Sequence, residues 1–173
     1  YYDKFQSQDY ESRRNNSVWK SEIEIFHQIK HRLAAKYDGE INILDVPAGT
    51  GRWIPYLDDI ACRYVGVDIS ENMLEQAEEK LKDFPAEVKK RFELIASSVE
   101  ELPNNVDGTF ELILSTRFLP HFSLSEGRQI MNVFRCYSKG DLIIMVRVAD
   151  NWFSIFMEIF DFIIRSPIGG IKR

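Results

Sequence analysis

Apolar residues recur along this chain first with a helical period and then in short runs. From about Val18 to Tyr37, the residues Ile23, Phe26, Ile29 and Leu33 fall three or four apart, the spacing of a helix with one buried face. Asp38-Gly39 marks its end. Short apolar runs then alternate with amphipathic stretches. The pattern predicts strand 41–46, helix about 52–60, strand 64–68, helix about 71–83, strand 91–96, a short turn, strand 110–115, helix about 125–137 and strand 141–148. Ser70 before Glu71 reads as a helix N-cap, with Met73, Leu74 and Ala77 on the inner face. Strands alternating with helices predict an α/β fold, a doubly wound and mostly parallel sheet with helices on both faces.

The junction between the first strand and its helix carries the chemistry. Ile41-Asn42-Ile43-Leu44 runs into Asp45-Val46-Pro47-Ala48-Gly49-Thr50-Gly51, and Arg52-Trp53-Ile54 follows. A second acid, Asp68, ends the apolar run Tyr64-Val65-Gly66-Val67. Glycines in a strand-to-helix turn let the backbone approach a ligand, and an acid at the end of the next strand can accept from ribose hydroxyls. A nucleoside-bearing cofactor fits this pattern. A dinucleotide does not, because Ile54 holds the third glycine position and Asp45 adds negative charge where a pyrophosphate would lie. No phosphate-binding G-x-x-x-x-G-K-[ST] loop is present. Asp45 favours a ligand with a positive group, such as an amino-acid ammonium.

Four segments in order resemble the class I S-adenosylmethionine-dependent methyltransferases. Asp45 to Gly51 resembles their D-x-G-x-G-x-G motif, and Asp68 their second acidic motif. Ser97-Ser98-Val99-Glu100-Glu101-Leu102-Pro103 is similar to their G-D-A-E-x-L-P segment. Phe110-Glu111-Leu112-Ile113-Leu114-Ser115 is similar to their strand-four segment, and Leu119-Pro120-His121-Phe122 to the stretch that often follows. Three positions depart from the pattern: Pro47 replaces the first glycine and offers no N–H, Ser98 stands for an adenine-binding aspartate, and Pro120 replaces the first histidine of a pair.

The resemblance implies S-adenosylmethionine as cofactor and S-adenosylhomocysteine as product, and it assigns roles. Asp45 would attract the ammonium, with the Ala48, Gly49 and Gly51 backbone against the methionine part. Asp68 would take both ribose hydroxyls. Ile69 and Met73 would sandwich the adenine, beside Ser98 and the Val99 N–H, and Ser115 would complete the cofactor contacts. Tyr2, Tyr10 and Arg13 resemble a lid of aromatic and basic residues, with Tyr2 and Arg13 toward the cofactor and Tyr10 toward the substrate. His121 is the candidate general base, its alternative being a histidine packed beside the cofactor without proton transfer. Arg117 could hold an anionic acceptor or form a surface salt bridge.

Asn151 to Ile164 is apolar on nearly every face, which predicts a buried helix too short to cross a bilayer. The resembled fold adds two antiparallel strands at the sheet edge, and the sequence leaves no room for both. Either the chain is a part of something longer, or this helix covers the edge, or it meets an oligomer partner or lipid. The expected organisation is a lid and helix over 1–40, a cofactor-binding core over 41–148, and an apolar tail over 149–173, all in one domain.

Composition narrows the partners. With 173 residues and 45% hydrophobic content the chain can build one core. Its net charge of −5 gives no basic field for a nucleic acid, and Lys89-Lys90-Arg91 reads as a solvated loop. Cys62 and Cys136 have no metal or disulfide spacing and read as core or near-core thiols in a reducing cytoplasm. No signal sequence is visible. His27 and His31 share a helix face at metal-binding spacing, but no third ligand accompanies them. The reading is a methyltransferase acting on an oxygen or nitrogen of a small molecule. The alternative is a catalytically inactive methyltransferase-like partner subunit.

Overall fold

The computed structural model describes residues 17–146 and 159–162. Helix α1 (Ser17–Lys36) leads into strand β1 (Ile41–Asp45), the one-turn helix α2 (Ile54–Leu57) and strand β2 (Ala61–Asp68). Helices α3 (Glu71–Leu81) and α4 (Ala86–Lys89) precede β3 (Phe92–Ala96), and α5 (Leu102–Asn105) precedes β4 (Phe110–Thr116). A 3-10 turn at Leu119–His121, α6 (Leu124–Tyr137), β5 (Ser138–Met145) and β6 (Ile159–Phe162) complete the order.

The strands form one sheet in the order β3-β2-β1-β4-β5-β6. The first five are parallel, and β6 runs antiparallel to β5. The order reverses between β1 and β4. In open α/β sheets the crevice at such a reversal, beyond the carboxyl ends of the strands, is where ligands bind. Both sheet faces are covered, as the continuous apolar runs require. On one face Phe26 and Leu33 of α1, Ile54 and Leu57 of α2 and Ala77 of α3 pack on Ile41, Ile43, Tyr64, Leu112 and Leu114. On the other, Leu102 of α5 and Ile130, Phe134 and Tyr137 of α6 pack on Leu44, Val65, Val67 and Ile113. Each fully buried aliphatic or aromatic side chain contributes about 1.5–3 kcal/mol.

Several expectations change. Residues 159–162 are strand, not helix, so one antiparallel edge strand is present. A short apolar run without a polar face suits either element, and pairing with β5 decides it. The rest of 151–164 lies outside the described residues. The helix expected over 52–60 keeps a single turn, because β2 begins at Ala61 rather than 64. A one-turn helix at Leu102–Asn105 replaces the plain turn before β4. Strand β5 starts at Ser138, directly after α6. That helix opens on a capping box the S-x-x-E pattern could have revealed: Ser123 accepts from the Glu126 N–H, and Glu126 accepts from the Ser123 N–H. Ser70 is the N-cap of α3, but its hydroxyl makes no capping bond. Both free cysteines are exposed, not core.

At the amino edge of the sheet, Lys36 and the Tyr37 hydroxyl both bond Asp141, at 2.8 and 2.9 Å. This clamps the end of α1 onto β5. Arg91 donates to the Ala61 and Asp58 carbonyls at 2.7 and 2.9 Å, so part of the Lys89-Lys90-Arg91 run anchors the start of β2.

Candidate functional site

The loop after β1 is held on both sides. The Val46 N–H donates to the Leu114 carbonyl of β4 at 2.9 Å, and the Ala48 N–H to the Val67 carbonyl of β2 at 2.8 Å. The Val46–Pro47 peptide is cis. Gly49 and Gly51 then turn the chain with φ of 56° and 67°, a region that costs other residues about 1 kcal/mol or more. The two glycines differ in surroundings. A Cβ on Gly49 would meet nothing within 4 Å, so its backbone faces open space. A Cβ on Gly51 would come within 2.7 Å of Ala77 Cβ and 2.6 Å of Ile54 Cδ1, so Gly51 lets α3 pack tightly under the loop. Gly51→Ala is expected to lower stability by about 2 kcal/mol, from a strained φ plus the collision with α3. Denaturant unfolding measures it, and an unchanged midpoint would contradict the packing described.

Asp68 lies at the end of β2 and closes on this loop. Its Oδ2 accepts from the Gly49 N–H at 2.8 Å, and its Oδ1 from the Ser70 N–H at 2.9 Å. Burial pushes the Asp68 carboxyl above its ordinary range, and the Ser70, Gly49 and Ile69 N–H groups offset part of that rise. One carboxylate thus spans the glycine turn and the start of α3, fixing where the two meet.

Asp45 is placed differently from the expectation of an acid in the loop. Its carboxylate is fully buried, and the Tyr64 hydroxyl donates to its Oδ2 at 2.8 Å. Its Oδ1 has no hydrogen-bond partner. Burial, opposed by the Tyr64 bond and reinforced by the Asp68 charge, pushes its pKa up to about 8. Without a bound cation this acid is mostly protonated near neutrality. Tyr64 itself was not read from the sequence as a site residue, since a tyrosine in an apolar run looks like core.

On the far side of Asp68, Ile69 is 78% exposed, and Met73 on the first turns of α3 is half-buried. Across from them Ser97 accepts from Asn105 at 2.9 Å, Ser98 is half-buried and Val99 is buried. The Ser97 N–H donates to the Asp68 carbonyl at 3.0 Å, tying this segment to β2. Ser115 is buried near the end of β4, and its hydroxyl has no partner.

The loop after β4 supplies the remaining candidates. Arg117 has φ of 57°, and its N–H donates to the Met145 carbonyl at 2.7 Å. It does not form a surface salt bridge. Its guanidinium donates to both oxygens of Glu22 on α1, at 2.7 and 3.0 Å, and Glu22 is buried. Arg52 pairs with the same carboxylate and lies over the Trp53 ring, 4.3 Å from its centre. Burial pushes the Glu22 carboxyl up, but the two guanidinium groups outweigh it and hold the group below its ordinary range. A Glu22–Arg52–Arg117 network therefore joins α1, the glycine loop and the loop after β4. Its sequence signal is an acid in the apolar stripe: Glu22 falls on the same helical face as Phe26, Ile29 and Leu33. His121 is exposed on the 3-10 turn, beside an edge-on pair of Phe118 and Phe122 rings. Tyr2, Tyr10 and Arg13 lie outside the described residues.

Among the described residues, no group of three or more His, Cys, Asp or Glu could hold a metal. His27 instead packs edge-on against Tyr56. Among the same residues, no helix is long and apolar enough to cross a membrane.

A family profile described as a methyltransferase domain matches residues 43–140. A demethylmenaquinone methyltransferase of Lactococcus lactis subsp. lactis (strain IL1403) is 28% identical over 127 residues, which cover 70% of this chain and 47% of that protein. The chain thus spans about half the length of this relative. Among solved structures, DhpI in complex with SAH aligns with a TM-score of 0.61 at 16% identity, over 84% of this chain and 65% of the other. Magnesium protoporphyrin IX methyltransferase (ChlM) from Synechocystis PCC 6803 with bound SAM gives 0.61 at 18% identity, over 78% and 64%. The PH0226 protein from Pyrococcus horikoshii OT3 gives 0.60 at 27% identity, over 77% and 60%. The two less similar structures speak for the fold alone. The matched profile, however, runs from β1 into β5 and takes in the glycine loop, Asp68 and all of β4, so this chain belongs to the methyltransferase domain family.

Proposed function

We propose that this chain binds S-adenosylmethionine and passes its methyl group to an oxygen or nitrogen atom of a small-molecule acceptor. The observation that carries the reading is Asp68, a buried acid at the end of β2, bonded directly to the N–H of a glycine whose backbone faces open space. The cofactor's chemistry fits the residues present. Asp68 keeps acceptor capacity for a ribose diol, since each oxygen holds one backbone N–H and an ionised carboxylate has about four lone-pair sites. Asp45 keeps one buried oxygen with no partner, which a cationic ammonium would satisfy. Ile69 offers an exposed apolar face to an adenine ring, with Met73, Ser98 and Val99 around it. Tyr2 and Arg13 would close over the cofactor, with Tyr10 on the acceptor side.

When bound, the cofactor supplies an electrophilic methyl group on a sulfonium whose sulfide leaves without needing a proton. The protein's task is then to align acceptor and methyl and to exclude water. Ser115 and the loop after β4 border the position the acceptor would take. His121 would remove the proton from a hydroxyl or ammonium acceptor, and its exposure lets it pass that proton to solvent. Arg117, anchored by Glu22, would shape that side of the pocket rather than reach freely for an anion. The lactococcal relative is named for a quinone acceptor, which supports a small molecule but not the choice of oxygen or nitrogen as the acceptor atom. Two free thiols are in keeping with a cytoplasmic setting.

Calorimetric titration of the chain with S-adenosylmethionine and S-adenosylhomocysteine tests the reading. Micromolar binding of either is expected. A folded chain that binds neither would overturn it in favour of a non-catalytic partner subunit.

A further inference from the structure

Asp45 and Tyr64 form a buried pair, of which only Asp45 has so far been given a part in holding the cofactor. They come from adjacent parallel strands, and both side chains are fully buried. The Tyr64 ring is fixed from the other side by stacking on Phe92, 5.0 Å between centres. Gly66 keeps this region close-packed, since a Cβ there would lie 2.9 Å from Tyr64 Cε1 and 3.0 Å from Ala48 Cβ. The phenol is therefore held in place, and through its bond to Oδ2 it fixes the plane of the Asp45 carboxylate. The apolar cluster on this face includes Phe26 from α1, Ile54 from α2 and Ala77 from α3, and the charged groups that these elements and the neighbouring loops bring to the same side, Glu22, Arg52 and Arg117, pair with one another. The only other charge acting on Asp45 is Asp68, also an acid, and among the described residues no lysine, arginine or histidine pairs with it.

A buried carboxylate with one oxygen held by a phenol and the other unpartnered is poised for a cation. We propose that Tyr64 is a positioning residue for the amino-acid end of the cofactor: it holds Asp45 Oδ2 so that Oδ1 is reserved for the ammonium, and the ammonium enters as Asp45 gives up its proton. This rests on the cofactor reading above and adds a coupling to it. The balance is simple. Asp45 starts protonated, the cofactor arrives with its ammonium charged, and one proton leaves to solvent as the ion pair forms. The phenol keeps its own proton, because burial and the adjacent Asp45 hold Tyr64 well above its ordinary range.

The test is calorimetric titration with S-adenosylhomocysteine near pH 7, in buffers of different protonation enthalpy, so that proton release is counted directly. The wild-type chain is expected to release close to one proton, and markedly less near pH 9, where Asp45 is already ionised. Tyr64→Phe keeps the ring and its stacking but removes the donor. It is expected to bind S-adenosylhomocysteine about tenfold more weakly near pH 7. Binding of 5′-methylthioadenosine, which lacks the ammonium and carboxylate, should release no proton and be unchanged in the variant. Absence of proton release in the wild type, or equal weakening of both ligands by Tyr64→Phe, would overturn the role assigned to Tyr64 while leaving the cofactor site standing. A wild-type chain that binds neither ligand would overturn the cofactor reading itself, and this inference with it.

Discussion

Asp68→Ala is expected to weaken binding of S-adenosylmethionine and S-adenosylhomocysteine by a hundredfold or more. The carboxylate would accept from both ribose hydroxyls, and each charge-assisted bond contributes about 1.5–3 kcal/mol. Together they amount to roughly 3–6 kcal/mol, and every 1.4 kcal/mol is about tenfold. The same substitution acts on the free protein. It strips the Gly49 and Ser70 N–H groups of their acceptor, so the loop and the start of α3 lose a shared anchor. Stability should fall by about 1–2 kcal/mol as well. Asp68→Asn separates the two effects. Its amide oxygen still accepts from one N–H and one hydroxyl, so binding should fall only about tenfold. Calorimetry and thermal unfolding on both variants give the comparison. Full affinity in a folded Asp68→Ala chain would mean that the cofactor, if bound, lies elsewhere.

Asp68 was legible because its signal is local. A short apolar run ending in an acid, one strand after a glycine turn, states both the element and the position of the side chain. The same holds for Gly49 and Gly51, whose positive φ values follow from the turn they must make. Tyr64 was not legible. Its role arises only once β1 and β2 pair in parallel with Ile43 opposite Tyr64, which brings the phenol to Asp45 two residues further along. Glu22 is a similar case. It reaches Arg52 and Arg117 only because α1 crosses the carboxyl edge of the sheet, and no spacing within the chain states that crossing. Cys62 was misread because β2 begins earlier than its apolar run, and at that start Ala61 is buried in the core while Cys62 beside it is exposed. Segment 159–162 was misread because a short apolar run suits helix and strand alike, and only its pairing with β5 decides between them.

Asp45→Asn is expected to make the cofactor-free protein more stable near pH 7 while weakening its binding of the cofactor. The sign follows from where the proton sits. The unfolded chain gives up this proton near the ordinary value of 3.8, whereas the folded chain holds it up to about 8. Between those values the folded state carries the extra proton, so wild-type stability falls as pH rises, by about 1.36 kcal/mol per unit. Near pH 7 the accumulated cost approaches roughly 4 kcal/mol as a ceiling. Asparagine does not titrate, and its oxygen can still accept from Tyr64. Its amide N–H groups take the place of a carboxylic acid O–H that also had no partner, so the two side chains should be about equal near pH 4. Thermal unfolding should therefore show matched midpoints in acid and a variant more stable by about 2–4 kcal/mol near neutrality, roughly 5–10 °C for a domain of this size. Binding should move the other way, because a neutral amide offers the ammonium no counter-charge and no longer releases a proton on association. A variant that is less stable at neutral pH, or equally stable at all pH values, would show that Asp45 is not held protonated in the fold. A variant both more stable and weaker in binding would identify Asp45 as a group whose burial costs the free fold stability that the bound cation restores.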